Sequence, residues 1–165
     1  MKAKTQVGHL RHNVQIVEEY ARLAIEDERI ATGLMRQGEY RHACYFFIQA
    51  MEKAVRATIF TRVDPHNRFF RDETRTHDIE ELLDFLLKVV STEPKNRETL
   101  KTKLDTYVLA ETYFARIHND LRYPKYSEHY QSYSVLEVSV HDAIHIQHRL
   151  QELKRFLDEM KSLNW

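Results

Sequence analysis

One cysteine, three glycines and three prolines are few for 165 residues. The lone thiol, Cys44, excludes an intrachain disulfide, and nothing in the cysteine usage calls for an oxidising compartment. So few chain breakers argue against an all-β domain, which needs turn residues every ~8–12 positions. They imply long uninterrupted elements instead. No apolar run approaches the ~20 residues of a bilayer-crossing helix, so no membrane span is expected. The opening residues MKAKTQVGHLRHN carry bases without a following apolar stretch, unlike a secretory signal, and a cytoplasmic setting is the expectation. An excess of one charge is missing too. Lys plus Arg and Asp plus Glu number 25 each, so any affinity for nucleic acid must come from a local patch. Phosphate-cradling glycine loops, Cys-x-x-Cys and His-Glu-x-x-His are all absent, and no cofactor or metal is assigned.

What the chain does have is a 3–4 spacing of apolar residues, interrupted at Gly38, Pro65, Pro94 and Pro124. A first helix is expected at about 11–36, with Ile16, Tyr20, Leu23, Ile30 and Leu34 on one stripe, ended by Gly38. A second follows at about 39–61. Two adjacent stripes, through Ala43, Phe47, Ala50 and Ala54 and through Cys44, Ile48, Met51 and Val55, predict burial on much of its circumference. Residues 62–75 break the period and read as a loop pinned by Phe69 and Phe70. Asp78, with Glu81 three residues on, reads as the cap of a short helix at 77–90. A fourth helix is expected from Pro94 to about Tyr123, and a fifth over 133–162. The expected fold is all-α: one domain over 1–165, an antiparallel four-helix bundle with one additional short helix and a core at about 12–161.

Three stretches carry a family resemblance. GEYRHACYFFIQAMEKAVRATIF (38–60) has an aromatic near its start (Tyr40), then Gln49-Ala50, Glu52-Lys53-Ala54 and Ala57. Thr76-His77-Asp78-Ile79 leads into Leu82-Leu83, and Leu121-Arg122-Tyr123-Pro124 follows. In this order they resemble the HEPN (higher eukaryote and prokaryote nucleotide-binding) family over about 20–161. The resemblance implies a helical bundle, frequent homodimers, nucleotide or RNA handling and, for many relatives, a toxin–antitoxin pairing with a minimal nucleotidyltransferase. Some relatives cut RNA without a metal, using an arginine and a histidine with four to six residues between them. Arg122 and His129, separated by YPKYSE, are the matching pair here, with Tyr123 and Pro124 departing from the family's polar residue and helical spacing.

The residues of that region suit such chemistry on their own account. A histidine titrates near neutrality and serves as a base for a 2′-hydroxyl, while an arginine fork grips phosphate oxygens. Tyr123, Tyr126, Tyr130 and Tyr133 interleave with Arg122, Lys125 and His129, offering base-stacking faces beside cations. The site expectation is therefore Arg122 and His129 for catalysis, and Arg122, Tyr123, Lys125, Tyr126 and Tyr130 for nucleotide or RNA binding. The competing reading has the tyrosines packing over the end of a bundle with wet hydroxyls, and the chain acting as a helical interaction module. His141, His145 and His148 share one helix face, which reads as a solvated face or a metal or pH-sensitive interface. Asp27 and Glu28 interrupt apolar stripes and need cationic partners, with Lys53, Arg56 and Arg116 as candidates.

Overall fold

Two long helices open the chain: α1 over Ile16–Arg36 and α2 over Tyr40–Phe60. The computed structural model describes residues 7–162, so the basic first residues and the last three lie outside it. Gly38 sits in the left-handed region at φ +81° and turns the chain between the two helices. Lys53 pairs with Asp27 and the Phe60 ring stacks on Tyr20, an antiparallel register in which residue numbers rise on one helix as they fall on the other. Both stripes of α2 are buried, from Ala43 and Cys44 to Ile59 and Phe60, which makes it the central helix.

The segment read as a loop contains a short helix, α3, over Arg68–Glu73. The Asn67 side chain caps it by accepting from the Phe69 N–H at 2.9 Å. Phe70 packs on the core while Phe69 stays exposed beside Phe70 and Phe85. Helix α4, Ile79–Val90, starts where expected, and the Asp78 carboxylate accepts from the Glu80 and Glu81 N–H groups. The return bond of a capping box is not made, because the Asp78 N–H donates to Thr76 Oγ1.

The fourth helix is not a single rod. Helix α5, Pro94–Lys103, runs into a π-helical turn at Leu104–Leu109, and Ala110 (φ 45°) and Glu111 (φ 62°) then take left-handed conformations. Helix α6, Phe114–Asp120, starts afresh. Two distant groups support the break. Arg149 donates to the Tyr107 carbonyl at 2.6 Å, and Glu80 accepts from the N–H groups of Phe114 and Ala115. The break lets Leu104, Val108 and Phe114 all reach the core.

Residues 133–139 are not helical. A small antiparallel hairpin, β1 Lys125–Ser127 with β2 Ser132–Ser134, precedes the last helix, α7, at Val140–Ser162. Helix α7 lies along α2: Arg41 reaches the Leu136 carbonyl just before α7, and Arg62 reaches Met160 near its end. Ala143, Ile146, Leu150, Leu153, Leu157 and Met160 close the core. Among the described residues the fold is all-α apart from this hairpin, and no helix is long and apolar enough to cross a membrane.

Candidate functional site

Glu52 and Arg56 stand one turn apart on α2 and are both buried. The Arg56 guanidinium donates to Glu52 Oε1 at 2.8 Å and to the backbone carbonyls of Thr74 and Thr76. It thereby ties the chain just before α4 to the centre of the bundle. The same Glu52 oxygen lies 3.0 Å from His77 Nδ1. A carboxylate side chain only 5% exposed therefore holds a histidine whose own side chain is 76% exposed. Glu52 Oε2 is buried and has no hydrogen-bond partner among the described residues.

Helix α6 supplies the facing wall. Its His118 is buried, with its ring centre 6.2 Å from that of His77. Arg122, one turn on, brings Nη1 to 3.3 Å from His118 Nε2. A guanidinium only donates, so Nε2 accepts and the ring proton belongs on Nδ1, which is buried and has no partner among the described residues. Burial holds His118 below its usual pKa, and the charges of Arg122 and His77 add to the effect against that of Glu52. His118 is thus a neutral group beside two cationic or basic ones.

His77, Asp78, Ala115, His118, Asn119 and Arg122 line a cleft of about 220 Å³. His77 also borders a longer groove of about 810 Å³ whose walls include Lys53, Arg56, Arg71, Arg75 and His66. Arg71 and Arg75 are exposed there, Arg75 lying 3.7 Å from the Asp72 carboxylate, and Lys53 is paired with Asp27.

The residues singled out in the sequence fall around this cleft unevenly. Arg122 lies on its rim, with its guanidinium over the Tyr123 ring at 5.0 Å and no carboxylate partner among the described residues. Tyr123, Lys125 and Tyr126 line a separate hollow with Arg116 and Asp120. Tyr126 and Tyr133 face each other across the hairpin, ring centres 5.3 Å apart. Tyr123, Tyr126, Tyr130 and Tyr133 are all exposed. His129 lies in the hairpin turn, edge-on to Tyr130, and among the described residues no hydrogen bond or ring contact joins it to Arg122. His145 bonds Thr112 Oγ1, and His148 contacts Arg149 and Glu152, so two of the three α7 histidines are engaged within the chain. Among the described residues no set of three His, Cys, Asp or Glu side chains is disposed to hold a metal. Asp27 finds Lys53, and Glu28 finds Lys154 and Gln151 of α7.

Sequence reasoning passed over His77 and His118 as site residues. The signals were present but faint: a Glu-x-x-x-Arg spacing at 52–56 on an apolar helix, and a histidine one turn before Arg122. The family model described as HEPN domain matches residues 17–162, nearly the whole chain. No curated protein and no solved structure gives a significant match.

Proposed function

The chain belongs to the HEPN family, and from that premise we propose that it binds a base-bearing phosphate ligand, a nucleotide or single-stranded RNA, at the Arg122 end of the bundle. The observation that carries this reading is Arg122 itself. It has no carboxylate partner among the described residues, borders a cleft with His77 and His118, and leads directly into four exposed tyrosines. Its fork is available for phosphate oxygens, and each stacked base is worth roughly 1–3 kcal/mol on an aromatic face. Arg122, Tyr123, Lys125, Tyr126 and Tyr130 are the proposed contacts. Catalysis by Arg122 together with His129 is the competing reading, and the lack of any hydrogen bond or ring contact between the two side chains among the described residues favours binding over it.

Self-association and a nucleotidyltransferase partner, as in a toxin–antitoxin pair, are finer parts of the same proposal. An apolar groove between α1, α2 and α7, with Ile25 exposed beside it, supports a protein contact.

Fluorescence anisotropy with a short labelled single-stranded RNA and competing nucleotides tests the binding. Arg122→Ala and Lys125→Ala should each weaken the complex about tenfold, the loss expected for one charge-assisted contact. Raising salt should weaken it with a log–log slope near −0.7 per phosphate contacted. Unchanged affinity in both variants overturns the proposal.

A further inference from the structure

We propose that the groove between the start of α1, the middle of α2 and the connection from α3 to α4 is a docking site for an acidic, extended peptide segment of a partner protein. Arg122 does not line this groove, so the two sites can be tested separately.

Charge sets the groove apart. The chain carries 25 Lys plus Arg against 25 Asp plus Glu, yet among the described residues the one acid lining the groove is Glu52, which is buried and paired with Arg56. Lys53 is paired with Asp27, which leaves Arg71, Arg75 and His66 as the outward-lying basic groups. Arg71 has no carboxylate partner among the described residues. Arg75 has only the 3.7 Å contact with Asp72, a carboxylate that Arg68 also approaches, at 3.5 Å. The backbone that carries these arginines is tied down. Arg56 donates to the Thr74 and Thr76 carbonyls on either side of Arg75, and Asn67 caps the short helix that bears Arg71. A partner's carboxylates therefore meet guanidinium groups on an ordered backbone, which lowers the cost of binding them.

The rest of the groove favours a peptide over a nucleic acid. Its volume, about 810 Å³, is that of a ligand site, and Val14, Ile16 and Pro65 give it an apolar side. Single-stranded nucleic acid needs free ring faces for its bases. Here Tyr20 and Phe60 stack on each other at 6.0 Å with planes 11° apart, and the Arg56 guanidinium lies over the Tyr20 ring at 5.9 Å, so this aromatic wall is engaged within the chain. Glu52 in the floor has one carboxylate oxygen with no hydrogen-bond partner among the described residues. A peptide backbone brings N–H donors towards such a floor, whereas a phosphodiester brings only further negative charge. The chain's own first residues include Lys2 and Lys4, the wrong sign for this groove.

The test uses the full chain and a labelled, end-capped peptide of alternating glutamate and valine, with glutamine and lysine versions as controls. Fluorescence anisotropy should show binding of the glutamate peptide alone, weakened by salt. Arg71→Ala, at an exposed side chain, should weaken it about tenfold, and Arg75→Ala by less, because Asp72 already shares that charge. In an amide spectrum the peptide should shift Gln49, Arg71 and Arg75 and leave Asn119 in place. No binding of the glutamate peptide at millimolar concentration, or equal binding of the glutamine version, overturns the proposal. Loss in Arg122→Ala without loss in Arg71→Ala moves the peptide to the other site and overturns it as well. So does a single-stranded RNA that displaces the peptide and is itself weakened by Arg71→Ala, since the groove is then a nucleic-acid surface.

Discussion

Replacing Glu52 with alanine should be one of the most damaging single substitutions in this chain, for a reason that concerns Arg56. The two side chains are 5% and 7% exposed and 2.8 Å apart. Removing the carboxylate leaves a guanidinium in the interior with no anion. Breaking a buried pair in this way costs roughly 3–5 kcal/mol. Arg56 keeps its bonds to the Thr74 and Thr76 carbonyls, which places the expected loss near the lower end, at about 3 kcal/mol. Urea unfolding reads it directly: with a slope of about 2 kcal/mol/M, the midpoint should fall by about 1.5 M. Glu52→Gln keeps an oxygen acceptor for Arg56 and should cost about 1.5 kcal/mol. The double replacement Glu52→Met with Arg56→Met should recover most of the alanine loss, because no charge is then left stranded. A loss of less than about 0.5 kcal/mol in Glu52→Ala would refute the reasoning, since it means that water reaches the guanidinium and the pair is not an interior one.

Three further outcomes follow from other parts of the structure. His118 is held below its ordinary pKa of 6.5, chiefly by burial. Its neutral form therefore stabilises the fold above that value, and the contribution is lost as pH falls through 6.5 towards the lower folded-state value. Denaturant titrations should show stability declining over that range, and less steeply in His118→Gln. Ala110 sits at φ 45° and ψ 51°, a conformation that costs an L-residue roughly 1–2 kcal/mol. Ala110→Gly should relieve it and raise the melting temperature by about 2–4 °C, and a lower melting temperature would contradict this account of the break. Burial, with the charge of Asp142 adding, pushes the Cys44 thiol up to about 12. A thiol reagent at neutral pH should therefore leave the native protein unmodified and label it fully in denaturant.

The parts of the fold that follow local rules were legible in the sequence. Apolar spacing located α1, though its start lies at Ile16 and not near 11, and also α2 and α4, while Asp78 marked a cap and Pro94 a start, because each signal acts within a turn or two of itself. The fourth helix was misread because its break depends on Arg149 and Glu80, distant residues that reach its backbone only once the chain has folded. The hairpin lies mostly in the stretch between the fourth and fifth expected helices and overlaps the latter only at Tyr133 and Ser134. Its Lys-Tyr-Ser and Ser-Tyr-Ser arms alternate with period two, a pattern that the nearby apolar residues of α7 obscured. The same limit applies to the site. Arg122, Tyr123 and Lys125 announced themselves as neighbours in one short segment. Glu52, His77 and His118 come from three separate parts of the chain, and only the packing of α2 against α4 and α6 brings them into contact through His77.

The most direct measurement of the central idea is a nuclear magnetic resonance titration of the ten histidines with a short single-stranded RNA. Ligand bound in the cleft should shift the ring signals of His77 and His118 in parallel at low RNA concentration, with His141, His145 and His148 unmoved. Shifts confined to the α7 histidines, or a saturating RNA signal that leaves His77 and His118 where they were, would contradict it.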